Sequence, residues 1–134
     1  MSTRSTIAMI DGDHIKAIYC HFDGYPEGVG ITLKNFYGNS DKVAELISLG
    51  DISILDEFVV PVGTQHSFTT PEVGVTVAYG RDRGESGTEA RYFTTLDNWF
   101  ESYDKSGCEF AYLWNPTENK WAFWDLNTQE ALSL

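Results

Sequence analysis

Basic residues are scarce in this chain: nine Lys and Arg stand against twenty Asp and Glu, a formal net charge of −11. A field of that sign repels nucleic-acid phosphates and anionic lipid headgroups, so direct binding of nucleic acid or of a membrane surface is not expected. Cysteine is rarer still. Cys20 and Cys108 lie far apart in no C-x-x-C pair, which excludes a disulfide framework and a thiol zinc site and reads as two buried free thiols in a reducing cytoplasm. The three histidines, His14, His21 and His66, show no H-x-x-x-H or E-x-x-H spacing, so neither a metal nor another cofactor is expected. No apolar run approaches the ~20 residues that span a bilayer. The opening Met1–Thr6 stretch lacks an apolar core, so no export signal is expected either.

The 134 residues suit a single domain, 1–134, able to bury its own core. Hydrophobic residues make up 42% and aromatics 14%, too much for a disordered chain. The negative charge is uneven: residues 1–50 carry −2 and residues 51–134 carry −9. Such an excess serves solubility or favours a basic partner.

Ser5–Ile10 and His14–Phe22, joined by Asp11-Gly12-Asp13, predict a β-hairpin. The loop 23–30 is broken up by glycines and Pro26. A short helix is expected to follow with Val29, Leu33, Phe36 and Tyr37 on one face. A second helix, capped by Ser40, would bury Val43, Leu46 and Ile47. Ile52–Leu55 is a turn or brief strand, and Phe58–Val62, which contains Pro61, an edge strand at best. Gly63–Glu72 is loop. Gly74–Tyr79 alternates as a strand, 81–89 reads as a charged hairpin loop, and Arg91–Thr95 returns. Thr95 or Asp97 caps a helix with Leu96, Phe100 and Tyr103 inward. Glu109–Trp114 and Lys120–Asp125 form a last hairpin. The order ββαα-ββ-α-ββ predicts a two-layer α+β domain, a mainly antiparallel sheet with about three helices.

Three groups are candidates for chemistry. Around loop 19–27, His21 and Asp23 share a strand face and suggest an acid–base couple, whereas the adjacent Cys20 and His21 point apart and do not suit a nucleophile pair. Arg81 and Arg83 have the donors to grip an anion. They alternate with Asp82 and Glu85, which equally suggests internal ion pairing, and the stretch is neither a Walker A loop nor G-x-G-x-x-G. Should the two loops converge, His21, Asp23, Tyr25, Glu27, Arg81, Arg83 and Glu85 would line a pocket for an anionic small molecule or nucleotide. The third group is the aromatic C-terminal hairpin. Nine of nineteen aromatics fall between Trp99 and Trp124. Rings exposed beside carboxylates would make a protein interface of Glu109, Tyr112, Trp114, Glu118, Trp121, Trp124 and Asp125. The other reading of those rings is an aromatic core.

The Thr3–Ala8 start, the Ile18–Gly30 segment with its Asp23-Gly24-Tyr25-Pro26-Glu27-Gly28-Val29-Gly30 loop, the Val43–Ser53 pattern and the Arg81–Glu85 stretch resemble a loose group of small bacterial and bacteriophage proteins. The resemblance implies a phage or mobile-element origin and carries over no activity, cofactor or catalytic residue.

The leading expectation is therefore a small, acidic, non-enzymatic binding protein that occupies a basic surface of a host protein, such as a defence or nucleic-acid-binding factor, and inhibits it. It requires the carboxylates and the large rings to share one surface. One alternative is the anionic-ligand protein or small enzyme built on the two loops. The other is a homo-oligomeric module, for instance a homodimer, joined through the aromatic hairpin or the Phe58–Val62 edge.

Overall fold

The computed structural model describes residues 2–63 and 65–132; Thr64, within the expected 63–72 loop, and residues 1, 133 and 134 lie outside it. The hairpin expected at the start forms the centre of the sheet. Strand β1 (Arg4–Asp11) pairs antiparallel with β2 (His14–Cys20) from Ser5↔Cys20 to Asp11↔His14. Gly12, at φ +61°, makes the turn, a conformation glycine adopts without strain. A single π-type turn (Pro26–Gly30) runs into α1 (Ile31–Phe36), and α2 (Ser40–Ser48) follows. The strands β3 (Ile52–Ile54) and β4 (Val77–Ala78), the one-turn helix α3 (Tyr79–Arg83), and β5 (Arg91–Phe93) come next. Helix α4 (Leu96–Lys105) then leads to β6 (Cys108–Asn115), β7 (Lys120–Asp125) and β8 (Glu130–Leu132).

The strands form one mixed sheet in the order β4-β3-β2-β1-β6-β7-β8, with β5 also pairing β2. Two contacts are parallel, β1 with β6 and β2 with β3; the rest are antiparallel. The outer edge of β2 is divided. β5 pairs Ile15–Ala17, β3 meets Cys20, and in the gap the Asp51 carboxylate accepts the Tyr19 N–H at 3.0 Å.

The two-layer α+β arrangement is present: helices α1 and α2 pack over one face of the sheet on Ile7, Ile18, Tyr112, Trp114 and Phe123. The reverse face is covered as well, by α4. There Ala8, Ala17 and Ala111 leave room above the central strands for Trp99, Phe100 and Tyr103. Trp99 Nε1 donates to Thr6 Oγ1 at 3.0 Å, which satisfies a polar atom in a wholly buried ring. Among the described residues no helix is long and apolar enough to cross a membrane.

Several local expectations change. Asn39, not Ser40, caps α2, accepting the Lys42 N–H at 2.8 Å; Ser40 Oγ instead accepts Trp114 Nε1 at 2.9 Å. Phe36 turns outward, while Val29, Leu33 and Tyr37 are buried. Thr95 caps α4, but Leu96 is exposed and Trp99 takes the inward position. The 81–89 stretch is not a hairpin loop. Asp82 Oδ2 accepts the Ala78 N–H at 2.8 Å and closes the chain into α3, so β5 leaves β4 and pairs with β2. Phe58–Val62 keeps a strand-like alternation but makes a single β-bridge among the described residues, Phe58↔Val75.

Candidate functional site

Each end of the C-terminal aromatic cluster is tied inward. Tyr112 is fully buried and its hydroxyl donates to Gly24 O at 2.7 Å; Trp114 is 1% exposed. Trp121 is half-buried and donates Nε1 to Tyr37 O at 2.9 Å, while Trp124 lies edge-on to Trp99 and Phe100. Glu118 pairs with Lys120 at 3.3 Å, and Asp125 caps its own turn through the Asn127 N–H at 2.8 Å. Glu109 is exposed at the start of β6. The expected aromatic interface is thus corrected: Tyr112 and Trp114 are core, because helix layers cover both faces of the sheet. The exposed carboxylates do not gather beside them. They are spread over the molecule: on α2 (Asp41, Glu45), α4 (Asp97, Glu101, Asp104), the hairpin turn (Asp11, Asp13), the loops at Asp23, Glu27, Glu85 and Glu89, and the C-terminal strands and turns (Glu109, Glu118, Glu130).

The two expected anion loops stay separate: no hydrogen bond, ion pair or ring contact joins them among the described residues. His21 does not pair with Asp23. Its Nδ1 lies 2.7 Å from the Tyr19 hydroxyl, and burial, with the Arg4 charge, lowers its pKa. Asp23 accepts instead from the Tyr25 hydroxyl at 3.1 Å, and Glu27 is exposed in the π-type turn. Arg83 lies 5.0 Å above the Phe68 ring, with Nε 3.7 Å from Glu85. Among the described residues no three His, Cys, Asp or Glu side chains converge as a metal-ligand set.

Arg81 has a different part. Its guanidinium turns inward and donates to Val59 O, to Thr76 O at 2.7 Å, and to both oxygens of Asp82 at 2.8 and 3.1 Å. The Asp82 side chain is 4% exposed. Burial alone would raise its pKa, but hydrogen bonds from Arg81 and the Ala78 N–H, with the nearby His66 ring, together hold it below the ordinary carboxylate value. The His66 ring is also buried. Its Nε2 lies 3.1 Å from Asp82 Oδ2 without a well-aligned hydrogen bond, and its Nδ1 accepts the Glu72 N–H at 3.0 Å. Glu72 extends the cluster, its carboxylate accepting the N–H groups of Val62 and Gly63 at 2.8 and 2.5 Å. This clamp ties Val59, Val62, Gly63, His66, Glu72 and Thr76 of the β3–β4 connection to Arg81 and Asp82 or to one another.

What the loop presents is apolar. Val59 points in and is 3% exposed, whereas Phe58, Val60 and Val62 point out at 44%, 59% and 85%. Val73, across the loop next to Glu72, is 98% exposed. The sequence marked Phe58–Val62 only as an edge strand at best; Phe-Val-Val-Pro-Val is apolar throughout and does not tell which side chains face out. His66, remote from every motif, gave no sign of the buried partner that fixes it. Comparison of the chain with protein-family models, curated proteins and solved structures finds no match.

Proposed function

We propose that this is a non-enzymatic binding protein that docks on a protein with a basic surface through the ridge of Phe58, Val60, Val62 and Val73. The observation that carries the reading is the pairing of that exposed apolar ridge with a buried ionic clamp. Large side chains facing water gain nothing for the fold, while the Arg81–Asp82–His66 cluster holds their backbone in place. A rigid apolar surface loses little entropy on association, so more of its burial appears as affinity. The charge of −11 supports the rest. A strongly negative body speeds encounter with a basic partner and opposes docking of a second copy of itself. The phage or mobile-element origin implied by the resemblance would place that partner in a host cytoplasm, with inhibition as the outcome.

Pull-down from host lysate at low and high salt tests this, using wild type, the exposed double variant Val62→Ser/Val73→Ser and the control Trp121→Ala. The expected result is a stoichiometric partner captured less at high salt, lost with the ridge variant and kept with the control. Equal capture by wild type and ridge variant refutes the docking surface, and capture that ignores salt refutes the electrostatic part. Light scattering on the free protein distinguishes the homo-oligomeric reading, since a dimer dispersed by the same ridge variant would mean the ridge binds its own copy.

A further inference from the structure

At the other end of the sheet the helix layer stops short. The Tyr37–Ser40 corner between α1 and α2 is stitched to the tryptophans of β6 and β7, Trp114 Nε1 to Ser40 Oγ and Trp121 Nε1 to Tyr37 O, both at 2.9 Å. Beyond that seam, on the α1–α2 side of β7 and β8, an open groove of about 540 Å³ remains. Its volume falls within the ~300–1,000 Å³ common for small-molecule sites. The floor is apolar, formed by Trp121, Phe123 and Leu132. Among the described residues two charged side chains line it, Lys34 from α1 and Lys120 from β7. Lys34 makes no ion pair among the described residues, and Lys120 has only the exposed contact with Glu118.

We propose that this groove binds a small aromatic carboxylate. The half-buried Trp121 has spent its Nε1–H on Tyr37 O and Phe123 lies almost wholly buried against Tyr112, so the floor offers apolar surface without donors, which suits a flat apolar body. The two ammonium groups supply the polar recognition and select a negative end. Glu118, 3.3 Å from Lys120, offsets part of that charge, while Lys34 has no such partner among the described residues; charges farther off than about 8 Å are screened at physiological salt. The inference is independent of the ridge and goes beyond the binding of a protein partner.

The test is a titration of the whole protein with benzoate, indole-3-carboxylate and naphthalene-2-carboxylate. It is followed by tryptophan fluorescence and by the NMR signal of the Trp121 indole N–H. The neutral naphthalene-2-methanol and the cationic naphthalen-2-ylmethylamine serve as controls. At least one carboxylate is expected to saturate below about 1 mM and to shift the Trp121 signal, the larger ring binding more tightly. Lys34→Gln/Lys120→Gln, both at exposed positions, is expected to weaken it roughly fivefold. Gly38 lines the groove and a Cβ there meets no atom, so Gly38→Leu is expected to occupy the site and abolish binding. Unchanged thermal unfolding of both variants shows that the fold survives. The proposal is overturned by no saturation with any of the three acids, by equal affinity for the neutral or cationic analogue, or by unchanged binding in Gly38→Leu.

Discussion

Replacing Arg81 with methionine keeps most of the side-chain volume and removes the guanidinium. Four hydrogen bonds are lost: to Val59 O, to Thr76 O at 2.7 Å, and to Asp82 at 2.8 and 3.1 Å. Asp82, its side chain 4% exposed, is left charged with the Ala78 N–H and a poorly aligned His66 as its partners. Removing one member of a buried ion pair costs about 3–5 kcal/mol. The Arg81 side chain is itself 27% exposed, so the lower end applies, about 3 kcal/mol. At about 3 °C per kcal/mol for a chain of this size, the melting temperature should fall by about 9 °C. Acid should narrow the gap. Asp82 has its folded pKa below the ordinary 3.8, so its contribution is present above that value and fades as the pH falls through the lower folded pKa. In the variant the carboxyl protonates more readily, and the difference from wild type is expected to shrink below about pH 4. Adding Asp82→Asn removes the stranded charge, and the double variant should cost less than the two singles summed. Urea unfolding at pH 7 and pH 3.5, with amide exchange at Val62 and Gly63, measures all of this. A cost under about 1 kcal/mol at pH 7, with unchanged exchange at those amides, would refute the clamp.

Gly50 turns the chain from α2 to β3 at φ +76°, and a Cβ there would sit 2.2 Å from Thr88 O. Gly50→Ala is expected to lower stability by at least about 2 kcal/mol. The control Gly84→Ala, at φ +75° but with open space around it, isolates the clash and should cost less in the same urea midpoints. Cys20 and Cys108 are buried, and burial pushes both thiols up to about 12. Neither should react with a disulfide reagent at pH 8 until the protein is unfolded, so native-state labelling as fast as that of a free peptide thiol would contradict their placement.

The parts legible in the sequence are those whose signals are local. The Asp11-Gly12-Asp13 turn between alternating strands needs only its own residues, and so does the apolar stripe of α2, while on α4 Phe100 and Tyr103 were legible but Leu96 is exposed and Trp99 turns in. Strand parity also places Trp121 and Phe123 on one face and Trp124 on the other. What parity does not tell is how many faces are covered. That depends on α4, which reaches the back of the sheet because Ala8, Ala17 and Ala111 make room for it, a complementarity spread over three strands. The same limit hid the clamp. Arg81 beside Asp82 suggested an internal ion pair, but the pair's role comes from Val59 and Thr76, brought there by a loop of some twenty residues, and from His66 within it.

The sheet order separates the ridge from the groove. The ridge rises from the β3–β4 connection at one edge and the groove lies over β7 and β8 at the other. The helix layer nevertheless joins them. Tyr37 accepts Trp121 Nε1 on its backbone oxygen at 2.9 Å beside the groove, and its hydroxyl donates to Asp56 O at 2.7 Å, two residues before Phe58. One residue therefore reaches from the groove wall to the base of the ridge loop. The two proposals are separated by their tests instead: Val62→Ser/Val73→Ser alters no residue lining the groove, and Gly38→Leu alters no residue of the ridge, so loss of partner capture in the first and loss of carboxylate binding in the second are read independently.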